Sequence, residues 1–287
     1  MVKELANYLS ECDIEVLDLD GLTLPVPKEG EHKILIAPGY NLVEMMEEIC
    51  EEETLSEYVN KELEQVQRLS MKDVLGKIVA SRLSYTDIAL EPEEIEGKSF
   101  EELYRSYSLL WEGSEMLNEE FGESDTEPFD WNTSWVQGKV EEDEQVILLT
   151  LPAEAGYEAP LWVPMGGYNE CPLPEHQSVI FKHFQQRYQI NIVAVSQDTW
   201  ILQAGKRPQT FEEALRLAKE HFIFCQYVMD GFPTLGHYAD YLMKSAISGI
   251  FGGIKRQLPR ENAAFFMWTM VKISKGMVIF RYCHKAS

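Results

Sequence analysis

The chain reads as an α+β protein, a largely antiparallel sheet with helices packed on it, preceded by an acidic α/β N-terminal half. Three observations carry that reading. Short apolar runs alternate at period two, as half-buried strands do. Helix-start signals recur, an Asn, Thr or Ser followed three residues later by Glu, so that cap oxygen and carboxylate each satisfy an orphan amide. In the second half the elements run β-α-β-β-α-α, the order of helices packed on a mostly antiparallel sheet.

In chain order, residues 1–11 form a short helix. Ile14 and Val16, then Leu22, Leu24 and Val26, alternate as two strands about an Asp20-Gly21 hairpin turn. The Asp18–Gly21 run is not an EF-hand loop, because Val16 stands where its first carboxylate ligand belongs. Lys33–Ala37 is a buried strand ended by Pro38-Gly39. Asn41 with Glu44, Thr54 with Glu57 and Ser99 with Glu102 then open three helices. Their stripes of Met, Leu and aromatic residues at helical spacing belong to the core. Residues 118–145 change character, acidic and rich in Gly, Ser and Pro around Phe129, Trp131 and Trp135, and read as a long connection. Val146–Leu149 is a strand, Pro174 opens a helix facing inward through Val179, Ile180, Phe184 and Tyr188, and Ile190–Val195 and Thr199–Leu202 form a strand pair. Thr210 with Glu213 makes the clearest capping box, and a last helix spans Thr234–Met243. The expected organisation is an acidic region over 1–120, a connection over 121–145, a domain over 146–245 and an atypical basic tail over 246–287.

The 287 residues carry a formal charge of −23, 45% hydrophobic residues and 11% aromatics, a globular composition. Charge is uneven. Residues 1–150 hold 37 acidic against 11 basic side chains, 151–254 hold 10 against 7, and 255–287 hold 1 against 7. An acidic first half disfavours nucleic acid, whose phosphates need Lys and Arg. It suits solubility or a basic protein partner. No window has the length of a membrane span, and the N-terminus lacks the basic start and apolar run of a signal peptide. Five widely spaced cysteines without a Cys-x-x-Cys point to reduced thiols in a cytoplasm. No cofactor and no metal site is expected, and the composition leaves the oligomeric state open.

Functional-looking residues are densest around 160–188. Gly166, Gly167 and Pro172 read as a tight structural turn presenting Tyr168, Asn169, Glu170 and Cys171. Cys171 and Cys225 form one candidate pair, although Cys225 falls on the apolar face of its helix, where cysteine acts as a small hydrophobe. Glu170 and Asp198 are candidate paired carboxylates, or else a helix cap and a turn residue. His176 and His183 lie about 10.5 Å apart along a helix, too far to share one metal ion. No phosphate-binding glycine loop, Gly-x-Ser-x-Gly elbow or His-Glu-x-x-His is present.

With Gly166–Pro172, Arg187-Tyr188, Asp198, Pro208, Ala214, Leu217–Glu220, Cys225 and Thr234-Leu235 in this order, roughly residues 159–245 resemble a bacterial family catalogued as domain of unknown function 4253. The chain departs from its pattern at Tyr168, usually Trp, at Gln189, usually Gly, and at Gln226-Tyr227, usually Pro-Asp. The resemblance implies a domain and no chemistry. It also stops near Ser245, where relatives end in an aromatic strand. Residues 246–254 can be encoded so that a shifted frame reads His-Ile-Trp-Tyr-Phe-Trp-Trp-Asp. The tail is therefore expected to be a frameshifted reading, which sequencing the gene decides.

Two function classes fit. The first is a cytosolic protein-interaction module that engages, and neutralises, a basic partner or toxin. The second is a small-molecule hydrolase or ligand-binding domain with its site around 166–171 and Asp198.

Overall fold

Two strands from the first 40 residues and four from beyond residue 144 build one sheet. They are β1 Asp13–Asp18, β2 Lys33–Ile36, β3 Gln145–Thr150, β4 Ile190–Val195, β5 Thr199–Ala204 and β6 Ile247–Phe251, in the order β1-β3-β2-β4-β5-β6. Only β2 and β4 pair in parallel; every other pairing is antiparallel. This computed structural model describes residues 1–251 apart from 21, 23, 24, 27, 29, 85, 91, 126–144, 168–170, 197, 198 and 246, and the side chains of 92, 93 and 247–251. Met1–Ile254 forms one unit; Lys255–Ser287 forms another, outside the described residues.

Period-two alternation divides each strand between two cores. Ile34, Ile36, Ile147, Leu149, Trp200 and Leu202 face the main core under the helices, while Leu35, Ala37, Val146 and Ile201 face a smaller one. In β4 the register against β5 shifts between Ile192 and Ala194. This bulge explains why Ile192 and Val195 share the main core while Val193 and Ala194 together face the other. Each fully buried Leu or Ile contributes about 1.5–3 kcal/mol of apolar burial.

Helices α1 Val2–Tyr8, α2 Tyr40–Glu52, α3 Leu55–Arg68, α4 Met71–Leu83, α5 Pro92–Glu96 and α6 Phe100–Ser108 precede β3. The short α7 Ala159–Trp162, then α8 Pro174–Tyr188, α9 Phe211–Phe224 and α10 Leu235–Lys244, follow it. Thr54/Glu57 and Ser99/Glu102 form reciprocal capping boxes as their spacing predicts, and Ser70/Asp73 forms a third that opens α4. At α9, Thr210 accepts from Glu213 N, but the Glu213 carboxylate takes the Gln209 amide. Among the described residues none is long and apolar enough, as a helix, to cross a membrane.

Two expected elements differ. Asn41 is not a cap: α2 begins at Tyr40, with extended Gly39 as N-cap and the Gly39 carbonyl accepting from Leu42 and Val43. The Asp20-Gly21 hairpin differs in its described part: β1 pairs along its whole length with β3, and Leu22 and Val26 are in no strand, Val26 being 79% exposed. Leu24 and Gly21 lie outside the described residues, as do Phe129, Trp131 and Trp135.

The chain just before residue 126 is fixed to the second half. Gly236 N donates to Asn118 O at 3.0 Å and Ser124 N to Asp240 Oδ2 at 2.7 Å. A side chain at Gly236 would place its Cβ 1.8 Å from Glu120 O, so only glycine lets this strap lie on α10. Arg82 of α4 donates to the carbonyls of Ile223 and Phe224, the latter at 3.0 Å, satisfying orphan acceptors at the C-terminus of α9. β6 pairs with β5 over the stretch where the shifted frame was expected. A backbone ladder forms with either set of side chains, so this pairing favours neither reading.

Candidate functional site

Between α7 and α8 the chain reverses over Met165–Pro172. Gly166 has φ +135° and Gly167 φ +76°, in the region that favours glycine. A Cβ on Gly166 would meet Pro172 O at 2.2 Å and Gln177 Nε2 at 2.3 Å, so no other residue fits. The Gly167 amide closes the loop onto the carbonyls of Cys171 and Pro172, at 3.2 and 3.3 Å. One fully buried side chain then locks it. Gln177 donates to Met165 O and, at 2.7 Å, to Pro172 O, while its Oε1 accepts from Trp200 Nε1 of β5 at 2.6 Å.

Of the sequence-predicted site residues, this turn brings together Gly166, Gly167, Cys171 and Pro172. Cys171 is buried, its sulfur 3.7 Å from Met165 Sδ and 3.8 Å from Gln177 Nε2. Cys225 is buried at the C-cap of α9. Tyr168, Asn169, Glu170 and Asp198 lie outside the described residues.

A second cluster, which sequence reasoning missed, lies between α8 and α9. Glu220 is 1% exposed. Its Oε1 accepts from Arg216 Nε at 2.8 Å and stands 3.5 Å from Arg187 Nη1. Among the described residues its Oε2 has no hydrogen-bond partner and faces His183 Nε2, also buried without one, at 3.8 Å. Burial raises the Glu220 pKa against the pull of Arg216 and Arg187. Burial, with both arginines adding, pushes His183 down to about 4. Phe100 and Tyr188 support the guanidinium groups, with centroids 3.4 Å from Arg216 and 5.1 Å from Arg187. The Tyr188 hydroxyl is a further buried orphan; Tyr188 lines a cavity of about 30 Å³, room for one water. Two signals were available. His183/Arg187 and Arg216/Glu220 are i,i+4 pairs, and Lys219-Glu220 interrupts the apolar stripe of α9 beside Phe222.

A third group joins α3 to the start of α8. Glu62, buried, accepts from Gln65 Nε2 at 2.7 Å, and burial raises both Glu62 and Glu175. Burial and Lys77 push the neighbouring His176 down to about 4. Among the described residues no three His, Cys, Asp or Glu side chains are placed to hold a metal ion.

No curated protein and no solved structure matches the chain. One family model does, over residues 147–248, from β3 into the first residues of β6. It takes in the glycine turn and the Glu220 cluster, while β1 and β2 precede it. Residues 147–248 are thus a domain of the family described as a domain of unknown function, DUF4253.

Proposed function

We propose that the chain is a protein-interaction module whose acidic α2 surface docks a basic protein partner. One observation carries this reading. Glu44, Glu47, Glu48, Glu51 and Glu52 are all exposed along α2, with Tyr40, 69% exposed, one turn ahead of Glu44. Among the described residues none of these five carboxylates is in an ion pair, and α2 itself contains no Lys or Arg. Like charges at i,i+4 each cost a helix about 0.2–0.5 kcal/mol, and Glu51 and Glu52 crowd its negative C-terminal end. The ladder therefore opposes the helix that bears it, and a docked cationic surface would relieve that repulsion. Glu4 of α1 and Glu11 after it, both exposed, extend the negative field. Such a field speeds association and makes it salt-sensitive. A basic toxin, neutralised by occupancy of this face, is one partner of the right chemistry.

The test is cross-linking in host extract at about 50 and about 500 mM salt, spanning strong to nearly complete screening. Cross-links from a basic protein should concentrate on residues 40–52 and vanish at high salt. Glu47→Lys with Glu51→Lys should abolish them while raising thermal stability slightly, because like-charge pairs are removed. Capture indifferent to salt, or lodged elsewhere on the chain, refutes the reading.

A further inference from the structure

We infer that His183, Arg187, Arg216 and Glu220 form a binding site for the oxyanion of a small molecule, a phosphate or carboxylate group. It lies in the DUF4253 domain, away from the acidic α2 ladder, and does not depend on the reading above. The argument begins with donors. A guanidinium has five N–H groups. Among the described residues Arg187 directs one at the Glu220 carboxylate, at 3.5 Å. Arg216 gives its Nε to Glu220 and has one 3.5 Å contact with the half-exposed Glu101. Among the described residues His183 Nε2 has no hydrogen-bond partner and faces Glu220 Oε2 at 3.8 Å. Among the described residues the two guanidinium groups thus keep N–H donors uncommitted beside one buried carboxylate, and the side chains of His183, Arg187 and Arg216 are 29%, 36% and 39% exposed.

These donors are held in place. Glu220 fixes the two arginines from beneath, and Phe100 and Tyr188 pack against their planes, leaving outward edges for bidentate contact with an oxyanion. The net charge of −23 repels anions at range, so binding rests on these short contacts rather than on the overall field. The orphan pair gives the site a readout. The charged groups facing His183 are Arg187 on its own helix and Arg216 and Glu220 on α9, with Glu101 of α6 close to Glu220. Burial holds the imidazole neutral and the two arginines add to it, so an anion on the arginines offsets their share. His183 can then take a proton and donate Nε2–H to Glu220 Oε2, closing the 3.8 Å gap.

The experiment follows the His183 imidazole by NMR while the full chain is titrated with inorganic phosphate and, separately, with acetate. A saturable shift with either anion supports the site, and the better ligand defines its class. At saturation the apparent pKa of His183 should rise by about one unit, a tenfold gain in proton affinity. Arg187→Gln, at a partly exposed position with one long contact, should weaken binding about tenfold and leave the melting temperature nearly unchanged. Glu101→Gln removes a carboxylate that competes for Arg216 and should tighten binding. No saturable shift with either anion overturns the inference, as does Arg187→Gln binding like the parent.

Discussion

Replacing Gln177 by Met keeps the side-chain volume nearly constant and removes the amide that ties the glycine turn to the sheet. Two buried groups lose their partner, the carbonyl of Met165 and the indole N–H of Trp200, while the carbonyl of Pro172 keeps only the longer bond from Gly167 N. A buried polar group left unsatisfied costs about 1–3 kcal/mol. Since Gln177 is fully buried, water cannot readily substitute, and the total loss for two groups should be about 2–6 kcal/mol. At about 2–4 °C per kcal/mol for a chain of this size, the melting temperature falls by roughly 4–24 °C. Urea denaturation, with calorimetry for the temperature, measures both. Gln177→Glu separates hydrogen bonding from packing. Its carboxylate would face two carbonyl oxygens, so at pH 8 it should be less stable than Gln177→Met. Burial raises that carboxyl's folded-state pKa, so stability should return as pH falls and the proton restores a donor. A loss below about 1 kcal/mol in Gln177→Met, or a more stable Glu variant at pH 8, would show that the turn does not depend on these bonds.

Two further outcomes follow from single residues. Gln189 ends α8 at φ 52°, ψ 46°, the left-handed conformation that costs a non-glycine residue about 1 kcal/mol or more, so Gln189→Gly should stabilise the chain by about that amount in urea. His221, fully buried against Tyr238 Oη at 2.7 Å, has its pKa lowered by burial from 6.5 to about 3. The unfolded chain therefore binds the proton first, and the stability held by neutral His221 is intact above pH 6.5 and is lost as pH falls towards 3. Between pH 7 and 5 this amounts to about 2 kcal/mol, which His221→Gln should remove from the pH dependence of the urea midpoint.

The parts of the fold legible in the sequence were those written in local chemistry. Thr54, Ser99 and Thr210 announce helices because a cap is a contact over three residues. Val146–Leu149 and Ile190–Val195 announce strands through apolar composition. Pairing was not legible. The alternation of Leu22 and Val26 suggested a local partner for β1, whereas β1 pairs with a strand that begins at Gln145, and nothing near Asp20 encodes that distant partner. α4 escaped notice because it is buried on several sides, through Val74, Leu75, Gly76, Ile78, Val79 and Leu83, which leaves only the narrow exposed stripe of Asp73, Lys77 and Ser81 to set its period. Of the glycine turn, the backbone requirement was readable from Gly166 and Gly167, whereas its lock, Gln177, was not. A glutamine carries no mark of burial until the carbonyls of Met165 and Pro172 and the indole of Trp200 converge on it. Glu220 was hidden for the same reason. Its partners on α8 lie 33 and 37 residues away, and only the packing of two helices brings Arg187 and His183 to it.

The position of β3 between β1 and β2 has a consequence for synthesis. Both early strands pair with β3 and not with each other, and roughly 110 residues separate the end of β2 from the start of β3. At the usual pace of a ribosome, about 5–20 residues per second, the two strands wait on the order of 10 s for their shared neighbour. Through that interval Ile34, Leu35 and Ile36 have no ladder to join, and an unpaired apolar strand is the kind of segment that chaperones hold and that aggregation recruits. The first helices can form meanwhile from their own caps. The sheet they will cover cannot close until the middle of the chain leaves the exit tunnel, so a ribosome stalled within residues 126–144 would present two strands still lacking the neighbour they share.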